Sequence, residues 1–148
     1  MIWRSRLANQ ERLINTLLEL IKIDSPSGEE DAIDAEVSSR LESMGLDVAH
    51  DAYRNVIANL EGVGNPFILS AHLDTVEPGR GIKPVVDGGV VRSNGSTILG
   101  GDCKAGVAII LEGLESALSK ITATVPSRLF SPATKKAVWW VPTTWTSA

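Results

Sequence analysis

Residues 11–23 place Leu13, Leu17 and Leu20 on one row and Ile14, Leu18 and Ile21 on the next, the spacing of an amphipathic helix. Ser25-Pro26-Ser27-Gly28 then breaks the periodicity. Ser27, followed three residues later by Glu30, matches a capping box, so a second helix is expected from there to about Met44, stopping at Gly45. Two short extended runs are expected at 47–51 and 55–60, the second bounded by Gly62 and Gly64. Residues 66–71, Pro-Phe-Ile-Leu-Ser-Ala, read as a short buried strand, with His72 just past its end. In the Gly- and Pro-rich stretch 78–96, Val85-Val86 and Val90-Val91 flank Asp87-Gly88-Gly89 and predict a hairpin. Residues 104–118 return to a helical period, with Val107, Ile110, Leu111 and Leu114 on one face. Helices alternating with buried strands predict an α/β fold with a mixed, mainly parallel sheet flanked by helices. There is no internal repeat.

Length and composition narrow this picture. The 148 residues allow one domain and a real core, and 43% hydrophobic with 22% charged residues is ordinary for a globular chain. A net charge of -4 argues against general nucleic-acid binding, which needs a basic face. Cys103 is the single cysteine, so no internal disulfide forms, and a reducing compartment is the simpler expectation. Arg4 and Arg6 are not followed by an apolar run of the secretory type, and no stretch reaches the length of a membrane span. The expected location is the cytoplasm.

The averages conceal a break. All 18 acidic residues lie between Glu11 and Glu115, and all 13 glycines lie at or before Gly113. Residues 1–115 carry a net charge of -8, whereas residues 116–148 hold four Lys and Arg and no acid. Three of the four tryptophans fall in the last ten positions. A basic Ser/Thr-rich tail is one reading of this. The other is given below.

Two constellations carry chemistry. In Ser70-Ala71-His72-Leu73-Asp74-Thr75-Val76, His72 and Asp74 are two apart, so an extended backbone projects both to one side. A metal-bound imidazole commonly gives its other N–H to a carboxylate, which sets the tautomer and raises basicity. Taken alone, the pair also fits a satisfied core histidine beside a surface aspartate. In Leu99-Gly100-Gly101-Asp102-Cys103-Lys104-Ala105-Gly106, glycines precede Asp102 and a helix follows it. Asp102 alone would suit a helix N-cap. A phosphate-binding loop is also conceivable, but the G-x-x-x-x-G-K-[ST] pattern is absent because Lys104 is followed by Ala105.

Together the two motifs, with the text SAHLDTVEPGRGIKP, DGGVVRSNGS and TILGGDCKAGVAIILE, resemble the co-catalytic zinc peptidases of the ArgE/DapE/aminoacylase/carboxypeptidase G group. Within that group they are most similar to the peptidase T (tripeptide aminopeptidase) branch. The segment IDSPSGEE is similar too, and the resemblance covers roughly residues 8–118. It implies an incomplete zinc-peptidase-like catalytic domain over residues 1–118. It also implies two zinc ions per complete site, with cobalt or manganese as substitutes. His72 would ligate one metal, Asp102 would bridge both, and Asp74 would be the catalytic-site partner that orients His72. The implied activity is metal-dependent hydrolysis of amide bonds in small peptides, as a di- or tripeptide exopeptidase. The implied partners are a small peptide substrate, with no nucleic acid or membrane, and a second copy joined through a lid domain that this chain lacks. A deacylase of N-acyl amino acids uses the same half-site. A non-catalytic fragment that binds metal weakly is the reading from another class.

The chain departs from that pattern in three places. Gly101 stands where the family has Ala, a mild change. Cys103 stands where the family has a second aspartate, after a peptide bond that is cis in these enzymes. Cys103 is therefore expected to weaken that geometry and to offer a thiolate to the metals. The family's Glu-Glu pair, one base and one ligand, should follow a strand about 30 residues after Asp102, but no acid follows Glu115. Back-translating residues 123–146 and reading one base earlier permits HRPVEVVFTRHEEGGLVGAYNLD, with the pair at Lys135 and Lys136. Residues 119–148 are accordingly expected to be an atypical, out-of-frame tail, and the chain to be inactive.

Overall fold

The computed structural model describes residues 8–61, 68–124 and 136–141. Its elements are α1 (Gln10–Ile21), α2 (Asp31–Ser43), β1 (Asp47–His50), β2 (Val56–Glu61), β3 (Pro84–Asp87), β4 (Val90–Ser93), α3 (Gly101–Thr124) and β5 (Lys136–Val141).

Each helix begins and ends for a local reason. The Asn9 side chain accepts a hydrogen bond from the Arg12 N–H at 3.1 Å and caps α1. Helix α2 starts at Asp31 without a side-chain cap, so the expected capping box is absent. The Ser27 hydroxyl goes instead to Asp74, and the Glu30 carboxylate takes the Gly28 N–H at 2.6 Å. Helix α2 ends as expected at Gly45, whose φ of 82° lets Gly45 N–H reach Glu42 O and Leu46 N–H reach Leu41 O. Within α3, Asp102 and Cys103 have non-helical backbone angles, so the regular helix begins at Lys104, as its periodicity predicts. It continues to Thr124, past the expected end at 118, because the first proline beyond it is Pro126.

The α/β class holds. The strand directions differ from expectation: β1, β2 and β5 form an antiparallel sheet in that order, and β3 with β4 forms an antiparallel hairpin. Short connections allow only antiparallel pairing of β1 with β2 and of β3 with β4, whereas β2 and β5 are joined by a long stretch of chain that leaves their direction to packing. Among the described residues, parallel pairing is confined to one bridge between Pro26 and Thr75. The hairpin turns at Gly88 and Gly89, with φ of 58° and 80°, the two positive values that a tight hairpin turn demands. Of the buried strand expected at 66–71, residues 66 and 67 lie outside the described residues, and 68–71 form no ladder. The strand-like alternation nevertheless survives one step later: Ala71, Leu73 and Thr75 are buried, while His72 and Asp74 are half-exposed.

The core joins Leu20 of α1, Ile33, Val37 and Leu41 of α2, Val56 and Ala58 of β2, Ala71, Leu73, and Val107, Ala108, Leu111 and Leu114 of α3. Polar ties hold the site segments to it. Lys104 is fully buried and donates to Ile23 O at 2.6 Å. Burial pushes its ammonium down to about 8, against the opposing charge of Asp24. The Ser25 hydroxyl donates to Leu73 O at 2.9 Å, and Thr75 N–H donates to Ser25 O at 2.8 Å. The start of α3, the loop after α1 and the 71–75 segment are thereby fastened to one another.

Candidate metal centre

His72 leaves the buried 71–75 segment on its open side, beside Asp74, as the two-residue spacing requires. Its Nδ1 lies 3.1 Å from Asp74 O and 3.2 Å from Asp74 Oδ1. A carbonyl oxygen only accepts, so Nδ1 carries the proton and donates it toward Asp74. The ring's other nitrogen, Nε2, is turned to the open side and faces Asp102 Oδ1 at 3.4 Å. A cation placed between an imidazole nitrogen and a carboxylate oxygen can be bound by both. Two donors each 2.0–2.1 Å from one tetrahedral ion sit about 3.3–3.4 Å apart, which matches this separation.

The loop that presents Asp102 depends on Gly100. Its φ is 65°, and a Cβ there would lie 2.8 Å from the Ile82 Cδ1. At Gly101 an added Cβ would meet only Leu99, at an ordinary 3.6 Å, which agrees with a mild departure. The Asp102–Cys103 peptide is cis. The Asp102 side chain is 97% exposed, whereas those of His72 and Asp74 are 26% and 16% exposed.

The structure thus brings together His72, Asp74 and Asp102, which the sequence assigns to the site. It adds Ser27 and places Cys103, already expected to offer a thiolate, with them. The Ser27 hydroxyl donates to Asp74 Oδ2 at 2.5 Å, so the carboxylate is held from both sides, by Ser27 on one oxygen and by His72 on the other. In the sequence, Ser27 read as a helix cap, and nothing local distinguishes the two roles. Cys103 joins His72 and Asp102 in a cluster whose donor atoms all lie within 4.8 Å of one another. A cavity of about 230 Å³ opens on His72 and Asp102 and is lined by His72, Asp74, Val76, Ile98 and residues 100–102, with Cys103 outside the lining. A larger cavity of about 530 Å³ lies between α1, α2 and α3, but its lining holds neither histidine nor cysteine. Donor chemistry, not size, marks the smaller one as the candidate centre.

No protein-family model matches the chain. The chain is 36% identical over 119 residues to the uncharacterized protein YqjE of Bacillus subtilis (strain 168), covering 74% of this chain and 32% of that protein. It is 35% identical over 91 residues to a putative LysW-lysine/LysW-ornithine hydrolase of Thermococcus kodakarensis, covering 61% of this chain and 26% of that one. Among solved structures, it matches a tripeptidase of Staphylococcus aureus with a TM-score of 0.79 and 31% identity, over 91% of this chain and 36% of the other. The aminopeptidase PepT of Bacillus cereus follows at 0.78 and 29%, with the same coverage. The chain therefore spans about a third of the length of these proteins.

Proposed function

On the premise that the chain is peptidase T-like, similar in sequence and fold to tripeptidases, we propose that it carries one half of a metal-dependent amide hydrolase centre for small peptides. His72 Nε2 and Asp102 would hold the metal, and Asp74 would orient His72. The observation that carries this reading is the approach of His72 Nε2 to Asp102 Oδ1, at 3.4 Å. Imidazole and carboxylate are a donor set that suits zinc. Zinc bound there would polarise a scissile carbonyl and lower the pKa of a water. Every other contribution is the protein's own. Asp74 holds the proton on Nδ1, which keeps the Nε2 lone pair available. Ser27 keeps Asp74 from rotating away. The exposed Asp102 carboxylate has a second oxygen free to reach a second cation.

The same reading makes this chain inactive as it stands. Hydrolysis needs a base within hydrogen-bond reach of the attacking water, and loss of a general base alone costs about 10²–10⁴ in rate. The position at which the resemblance expects the Glu-Glu pair holds Lys135 and Lys136. Two ammonium groups there would also repel the cations that the pair would bind. The purified chain, supplied with zinc, cobalt or manganese, is expected to cleave tripeptides no faster than its His72→Ala variant. Chelator-sensitive tripeptide cleavage by the parent chain, absent from the variant, would overturn the inactive reading. A second reading, deacylation of N-acyl amino acids, is supported by the likeness to the Thermococcus LysW-lysine/LysW-ornithine hydrolase. A complete, frame-corrected protein assayed on tripeptides and on N-acyl amino acids separates the two.

A further inference from the structure

We infer that Cys103 is a third metal donor in this chain, turning the half-centre into a mononuclear His–Asp–Cys site selective for thiophilic ions. The inference rests on the metal-site reading above and adds the sulfur, its stoichiometry and its selectivity. One donor atom each of His72, Asp102 and Cys103 falls within a 4.8 Å cluster. Around one tetrahedral ion, a thiolate at 2.3 Å and a nitrogen or oxygen at 2.0–2.1 Å lie about 3.6 Å apart, so small side-chain rotations suffice. Backbone shape serves this arrangement. Asp102 and Cys103 both lie before the regular helix, where consecutive side chains need not diverge by a full helical step. Gly106 makes room for the sulfur: a Cβ there would stand 2.7 Å from Cys103 Sγ. Cys103 is half-buried, which shields a metal–sulfur bond from solvent on one side while Asp102 stays exposed on the other.

The chemistry that follows differs from that of two hard carboxylates. On binding, the Cys103 S–H bond is replaced by a sulfur–metal bond, and the thiol proton leaves to solvent. Zinc, cobalt and cadmium accept a thiolate readily, whereas manganese and magnesium prefer oxygen. The site should therefore hold one zinc-like ion with a solvent-filled fourth position and discriminate against manganese.

The test is titration of the chain and its Cys103→Ser, Gly106→Ala and His72→Ala variants with cobalt(II), after circular dichroism has shown that each is folded. The parent should show the near-ultraviolet band of sulfur-to-cobalt charge transfer at one ion per chain. Cys103→Ser should lose the band and bind cadmium at least about tenfold more weakly, with manganese affinity unchanged. Gly106→Ala, which displaces the sulfur and leaves it chemically intact, should weaken the band. Cobalt binding without that band, at equal affinity in parent and Cys103→Ser and lost in His72→Ala, would overturn the sulfur ligand and leave the His72–Asp102 reading standing. Equal cobalt binding in parent and His72→Ala, or none in the parent, would overturn both.

Discussion

At the scale of single residues, the site is a chain of orienting contacts that ends on His72 Nε2. Ser27 holds one oxygen of Asp74, the other oxygen and the backbone carbonyl of Asp74 hold His72 Nδ1, and Nε2 is left to face Asp102. Each link acts on metal affinity through the one before it. Asp74→Ala should weaken zinc binding by about 10- to 100-fold, the usual effect of losing a carboxylate behind a ligating imidazole. Ser27→Ala should cost about threefold to tenfold, the worth of one net hydrogen bond, and Ser27→Thr should restore it. Competition against a chromophoric chelator reads all three. Equal affinities for Ser27→Ala and the parent would detach Ser27 from the centre.

At the scale of elements, α1 and α3 are locked by a buried carboxylate. Glu112 of α3 accepts from Arg12 Nε at 2.6 Å and Nη2 at 2.9 Å, from the Ser116 hydroxyl at 2.6 Å and from the Asn9 N–H at 2.6 Å. Burial opposes its ionisation, yet the hydrogen bonds from Arg12, Ser116 and Asn9 prevail and hold its carboxyl at about 2. In the unfolded chain a glutamate titrates near ~4.3. The folded pKa is thus depressed, so the stabilisation is fully present above ~4.3 and is lost as pH falls toward about 2. Glu112→Gln should destabilise at neutral pH by on the order of 2–4 kcal/mol, because it leaves the partners of a buried ion pair behind. Melting curves of parent and variant between pH 7 and 2 should converge as the acid limb is crossed. A gap that stays constant across that range would remove Glu112 as the source.

At the scale of the whole molecule, the change in composition after Glu115 sets two parts of the chain against each other. We propose that residues 1–118 are the native metallopeptidase part and that 119–148 are read out of frame. Strand β5 pairs antiparallel with β2 from Glu61↔Lys136 to Val56↔Val141. Edge pairing uses backbone groups that every residue carries, so a strand forms there with either origin of its side chains. Among the described residues, no helix is long and apolar enough to cross a membrane. The coding DNA tests the proposal. A single-base insertion or deletion between codons 115 and 123 should restore VEVVFT and the Glu-Glu pair in frame. A sequence in which no such change does so would establish the tail as natural.

What the sequence determined by itself is what depends on local chemistry. The period of 104–118, the Gly45 stop, the Gly88-Gly89 turn and the H-x-D spacing are all set within a few residues, and each is found where the pattern places it. His72, Asp74 and Asp102 were legible as candidates for the same reason: two short motifs carry them. Tertiary structure decided whatever required a distant partner. It directed strand pairing to antiparallel neighbours, left residues 68–71 without a ladder, started α2 at Asp31 without a side-chain cap, and joined the Ser27 hydroxyl to Asp74, 47 residues away. It also buried Lys104 against Ile23 O and set Cys103 beside His72. Periodicity reports which face of a segment is apolar, but not which other segment will meet it. That choice is made by packing and by the satisfaction of buried hydrogen-bonding groups, which only the folded chain brings within reach.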